Sequence, residues 1–169
     1  MKQIRLYLAA GTVFVVILGT LMHFVYGWSG RNLLAGLVSP VNESTWEHMK
    51  LIFFPVLLWS LFLPRQLSAK AASLRPALLA GGLLGTFLIP VLFYTYSGVL
   101  GRHIFQADIA VFLTGVFATF LFAWKFRDSE RLRRNRTVIC FLTGLLAVLF
   151  LIFTLAPPDI GLFAAPGAS

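Results

Sequence analysis

The 169-residue chain has only six acidic residues, and two of them, Glu43 and Glu47, fall beside His48 and Lys50 in "SPVNESTWEHMKLIFFP", residues 39–55. Its three histidines are His23, His48 and His103. These residue types suit zinc: two or three histidines with Glu47 or Asp108 would complete a ligand set with one position open for water, and a neighbouring carboxylate would act as general base. The candidate metal ligands are therefore His23, His48 and His103, and the candidate catalytic residues Glu47, His48 and Glu43. Glu47 and His48 are adjacent, unlike the H-E-x-x-H arrangement that sets two histidines one helical turn apart, so the spacing matches no established zinc signature. A metal-free version would use His48 or His23 as acid and base, Glu47 to orient it, and Ser44 or Ser29 as nucleophile. A serine so close to a helix start is more often a cap.

Two helix starts compete in this stretch. Ser39 can cap a helix whose first residue is Pro40, which puts Glu43, Glu47 and Lys50 on one face. Alternatively Ser44 caps and Glu47 closes a capping box, leaving Glu43 in the loop and Glu47 largely structural. In either case Lys50 leans back toward the helix N-terminus, and is expected to snorkel to water and pair with Glu47. His23 leans the other way and needs a partner inside the protein; a His23–Glu47 contact is expected. Tyr94, Tyr96, His103 and Asp108 join from the same side. Each has a plainer role available: tyrosines in an interfacial belt, a solvated loop histidine, an aspartate on a helix N-terminus.

The elements that must position these residues are membrane spans. The composition is 59% hydrophobic and 12% charged, against about 25% charged in soluble domains. Five apolar runs reach the roughly 20 residues that cross a bilayer: Ile4–Trp28, Thr45–Leu63, Ala77–Ser97, Asp108–Phe126 and Thr137–Ala156. The fold class is therefore all-α, a polytopic bundle of five transmembrane helices forming a single domain over residues 1–169. The first run begins like a signal peptide but is too long and lacks a cleavage pattern, so it reads as a retained span. Pro55 and Pro90 fall inside spans and are expected to bend them. Ala77, Gly81 and Gly85 form a ladder of small residues suited to close helix packing within the bundle.

Basic residues cluster at alternate span ends: Lys2 and Arg5, then Arg65, Lys70 and Arg75, then the loop "KFRDSERLRRNR". The positive-inside rule places the N-terminus in the cytoplasm and the C-terminus outside. All three histidines then belong to the outer half. The net charge of +8 follows from topology and implies no nucleic acid; the basic inner loop meets anionic lipid headgroups. Cys140, the single cysteine, permits no intramolecular disulfide or cysteine-cluster metal site.

The combination "HFVYGWSG", "SPVNESTWEHMKLIFFP", "YTYSGVLG" and the C-terminal "PP" resembles a family of small multi-spanning bacterial membrane proteins carrying a domain of unknown function, with an SPVNES-W-EH-K signature. The resemblance implies a multi-pass protein of the bacterial inner membrane. It marks His23, Asn42, Glu43, Ser44, Trp46, Glu47, His48 and Lys50 as signature positions, and with Tyr94 and Asp108 those outside the catalytic set form the candidate binding residues. It supplies no activity. The residues favour an intramembrane enzyme, a metal-dependent hydrolase with zinc, acting on a lipid or envelope substrate. The alternatives are a small-molecule or ion carrier or proton-linked sensor, and a non-catalytic scaffold that binds a partner membrane subunit or forms a homo-oligomer.

Overall fold

The apolar runs fold as helices separated by short polar connections. The computed structural model describes residues 1–165, and every regular element among them is helical. In chain order these are α1 (Lys2–Trp28), α2 (Leu33–Val38), α3 (Thr45–Leu61), α4 (Arg65–Lys70), α5 (Leu74–Leu100), α6 (Phe105–Phe126), α7 (Glu130–Arg134) and α8 (Arg136–Leu155). Four of them, α1, α5, α6 and α8, are long and apolar enough to cross a membrane. The chain is a multi-pass membrane protein.

The second of the expected spans, α3, differs from these four. Its 17 residues extend about 26 Å at ~1.5 Å per residue, slightly less than the roughly 30 Å hydrocarbon core. It is also the inner helix of the protein, packing against α1, α5, α6 and α8. Met49, Lys50, Ile52 and Val56 are all at most 2% exposed. A helix covered on so many sides can carry Glu47, His48 and Lys50 without presenting them to lipid.

Close backbone approaches set the helix positions. A Cβ on Gly81 would come 2.5 Å from the Thr119 carbonyl, and one on Gly85 would collide with the Gly115 carbonyl and the Thr119 hydroxyl. The ladder on α5 is thus an internal seam against α6, as expected. Gly19 serves the same purpose on α1, where a Cβ would strike the carbonyl of Leu51. The residues one turn beyond these two, His23 on α1 and His48 on α3, are thereby brought side by side.

One end of the protein gathers the C-termini of α1, α5 and α8 with the N-termini of α3 and α6; the other gathers the N-terminus, α4 and α7. At this second end the Arg5 and Arg127 guanidinium carbons lie 5.0 and 3.9 Å from the Trp124 ring centre, and the Ser73 hydroxyl donates to the Ser129 carbonyl at 2.7 Å.

Candidate functional site

Of the two competing helix starts, Ser44 forms the cap. Its Oγ accepts from the Glu47 N–H at 3.3 Å, while its own N–H donates to Asn42 Oδ1 at 2.9 Å. That second bond takes the donor a capping box would give to Glu47. The Glu47 carboxylate instead accepts from the Val41 N–H at 2.9 Å and from Lys50 Nζ at 2.7 Å. The Glu47–Lys50 pair is present, but the expected snorkelling of Lys50 is not. Lys50 is fully buried, and its ammonium also donates to the Gly36 carbonyl at 3.0 Å and to Thr154 Oγ1 at 2.6 Å. The reason is α2, which packs on α8 and turns its C-terminal carbonyls toward the lysine, where a cation also meets the negative end of the helix dipole.

The expected His23–Glu47 contact is likewise replaced. Because the cap falls at Ser44, Glu43 stays in the loop and swings over the histidines, while Glu47 is held by Lys50. His23 Nε2 lies 3.9 Å from Glu43 Oε1, and His48 Nε2 lies 3.3 Å from Glu43 Oε2. One ligand atom from each of His23, Glu43 and His48 fits within 4.8 Å of the others. The two imidazole rings sit 5.2 Å apart at 41°. His103 does not join this trio; its Nδ1 is 3.5 Å from Asp108 Oδ2.

The hydrogen bonding of His48 constrains its chemistry. Nδ1 is 2.8 Å from the Ser44 carbonyl, which can only accept, so Nδ1 carries the proton. Nε2 then faces the Glu43 carboxylate, another pure acceptor. A positive charge must lie between them, either a second proton or a metal ion. The contact with His48 holds the Glu43 carboxyl below the usual carboxylate range, aided by the charges of both histidines and opposed by partial burial. Glu43 is ionised at neutral pH, the state a ligand requires.

Two cavities flank the trio. One, of about 240 Å³, has Glu43, His48, His103 and Asp108 on its polar side and Leu51, Ile89, Phe93, Val111 and Phe112 on its apolar side. The other, of about 620 Å³, is an open groove bordered by His23, Trp28, Arg31, Asn42 and Glu43. Asp108 in the first turn of α6 accepts from the Tyr96 hydroxyl, and that oxygen accepts in turn from the Ile104 N–H at 3.3 Å. Asp108 thus carries the Tyr96 hydrogen bond on Oδ1 and the 3.5 Å contact with His103 Nδ1 on Oδ2.

The remaining candidates have packing or turn roles. Trp46 is buried against Phe150, Phe153 and Phe163, Asn42 makes the turn before Ser44, and the Tyr94 hydroxyl donates to the Gly161 carbonyl at 3.1 Å. Sequence reasoning missed Thr154, whose hydroxyl closes the Lys50 network from α8, 104 residues away in the chain. It also missed Arg31, which borders the groove with a left-handed φ of 62°.

No curated protein and no solved structure matches the chain. Its sequence does match a described family over residues 1–167. That match covers nearly every residue from which the bundle and the site are built, and the chain belongs to the family of unknown function DUF6512.

Proposed function

We propose that the protein is a metal-dependent hydrolase of the cell membrane, with its site at the outer face and a lipid or other envelope-located substrate. In this reading α3 is a fifth, largely buried span, the N-terminus is cytoplasmic and the C-terminus is outside, in keeping with the basic residues around α4 and α7. The resemblance to bacterial proteins makes the inner membrane the natural setting.

The observation that carries the proposal is the geometry of His48, whose two ring nitrogens face a carbonyl and a carboxylate. Protonating His48 twice would also satisfy both acceptors, but would give no role to His23, whose ring is 5.2 Å away and whose Nε2 approaches the same carboxylate. His23, His48 and Glu43 would together hold a zinc ion, which would serve the same acceptors and use the second histidine. Two histidines and a carboxylate, with an outer hydrogen bond fixing the tautomer of one histidine, are the donors of hydrolytic zinc sites. The ion would supply the Lewis acidity that makes water nucleophilic near neutral pH.

The protein's own residues supply the rest. Glu43 and the two histidines hold the charge at the mouth of the apolar cavity. His103, oriented by Asp108, is the acid that protonates the leaving group from the same cavity. A carrier has less support, since among the described residues the buried side chains with polar atoms, apart from Glu47 and Lys50, are serines, threonines, Tyr7 and Trp46, with no carboxylate, histidine or lysine leading on to the inner face.

The test is hydrolysis of a short panel of acyl esters by the full chain in lipid nanodiscs. Turnover restored by zinc after chelation, and lost in His48→Ala and His23→Ala, is the expected result. Turnover indifferent to chelation and to both substitutions would refute the proposal.

A further inference from the structure

The two cavities meet at the metal trio. Glu43 borders both, His48 borders only the apolar cavity and His23 only the open groove. Neither cavity is suited to a whole ligand by itself: the apolar one is below the ~300–1,000 Å³ of typical small-molecule sites, and the groove is open to solvent. A molecule lying across Glu43 would place an apolar part against Ile89, Phe93 and Val111, and a polar part beside Trp28, Arg31 and Asn42.

Arg31 determines the charge of that polar part. Among the described residues it makes no ion pair, although five of the chain's six acidic residues, including Glu43 on the same groove, are paired. Its backbone is left-handed, a conformation that disfavours any residue with a Cβ and that Gly30, its neighbour, also adopts. It is held there by its N–H donating to the Tyr26 carbonyl at 2.9 Å. An arginine that borders the groove without a carboxylate partner is available to bind an anion there.

We infer that the substrate is an acyl amphiphile with an anionic head, its chain in the cavity of Val111 and Phe112 and its head, a phosphate or carboxylate, on Arg31. The inference rests on the hydrolase reading for its chemistry. Cleavage at the junction adds the oxygen of water to the acyl carbonyl carbon and breaks the bond from that carbon to the head-group oxygen. The water proton passes by way of His103 to that oxygen, giving a fatty acid and the head-group alcohol.

Binding tests the inference without catalysis. The zinc-loaded full chain in nanodiscs of neutral lipid is titrated calorimetrically with decyl phosphate, undecanoate (a decyl chain bearing a carboxylate), decyl glucoside and butyl phosphate. The two anionic decyl probes should bind at least ~10-fold tighter than decyl glucoside, which has chain without charge, and decyl phosphate as much tighter than butyl phosphate, which has charge without chain; ~10-fold corresponds to about 1.4 kcal/mol. The better of the two anionic probes names the head group. Arg31→Gln should abolish the preference for charge and Arg31→Lys should keep part of it. Equal affinities, or a charge preference that survives Arg31→Gln and so belongs to the metal, would overturn the inference. The hydrolase reading is judged separately: esters with neutral and anionic heads cleaved equally well would preserve that reading and sink this one. The expected binding pattern without ester cleavage would uphold the two-part site and sink the hydrolase.

Discussion

Glu43 and Glu47 lie four residues apart, yet one faces the histidines and the other is sealed against Lys50. The difference comes from Ser44, whose cap leaves Glu43 outside the helix. That alternative was legible in "STWE"; which of the two caps wins was not, because the choice depends on Val41, α2 and Thr154 closing around Glu47 and Lys50. The pairing of Glu47 with Lys50 was readable from an i, i+3 spacing, whereas the burial of Lys50 was not, since its covering groups are distant in sequence. Lys50→Met should destabilise the protein by about 3–5 kcal/mol, because it strands the buried carboxylate of Glu47. Lys50→Met combined with Glu47→Gln should recover part of that loss, as read by thermal unfolding in detergent; a double variant no more stable than the single would refute the pair's isolation. His103→Gln should lower kcat by about 10²–10⁴-fold, the range for a general acid, with zinc content unchanged. A His103→Gln enzyme of undiminished kcat would remove His103 from the mechanism.

The long helices were the most legible elements, and each expected segment agrees with its helix to within three residues at either end. Their apolar runs leave little choice of conformation in lipid, where every backbone group must be satisfied within the segment. The short helices α2, α4 and α7 were not anticipated, since five or six residues are too few to show a period and form only against neighbours. Of these α2 matters most, because its carbonyls hold Lys50. Between α5 and α6 the small-residue ladder was readable, and the structure adds its counterpart, Gly115 and Thr119. Gly85→Leu should therefore cost at least the ~1–3 kcal/mol of an overpacked interior, seen as a lower unfolding temperature. Gly144→Leu, on α8 where nothing lies within 4 Å, should stay within about 0.5 kcal/mol of the parent. Equal effects at the two glycines would contradict the packing described for α5 and α6.

For the whole molecule, charge distribution determines the proposed direction in the membrane, and helix order then puts His23, His48, His103 and Arg31 on one side. With Cys140 replaced by serine, single cysteines at Ser29 and Asp159 should react with a membrane-impermeant maleimide added to intact cells, and one at Ser129 should not. The reverse labelling would invert the topology and move the site to the cytoplasmic face. The charge asymmetry was visible in the sequence from the start, but the trio was not, because Glu43 reaches His23 only after Gly19 lets α1 lie against α3. On the reading proposed above, His23, Glu43 and His48 form a metal centre. Its most direct test is the zinc content of the purified full chain by mass spectrometry after dialysis, beside His48→Ala and His23→Ala variants shown to be folded. About one zinc per chain is expected, falling to background in both variants. A parent chain without zinc after loading, or variants that retain it, would contradict it.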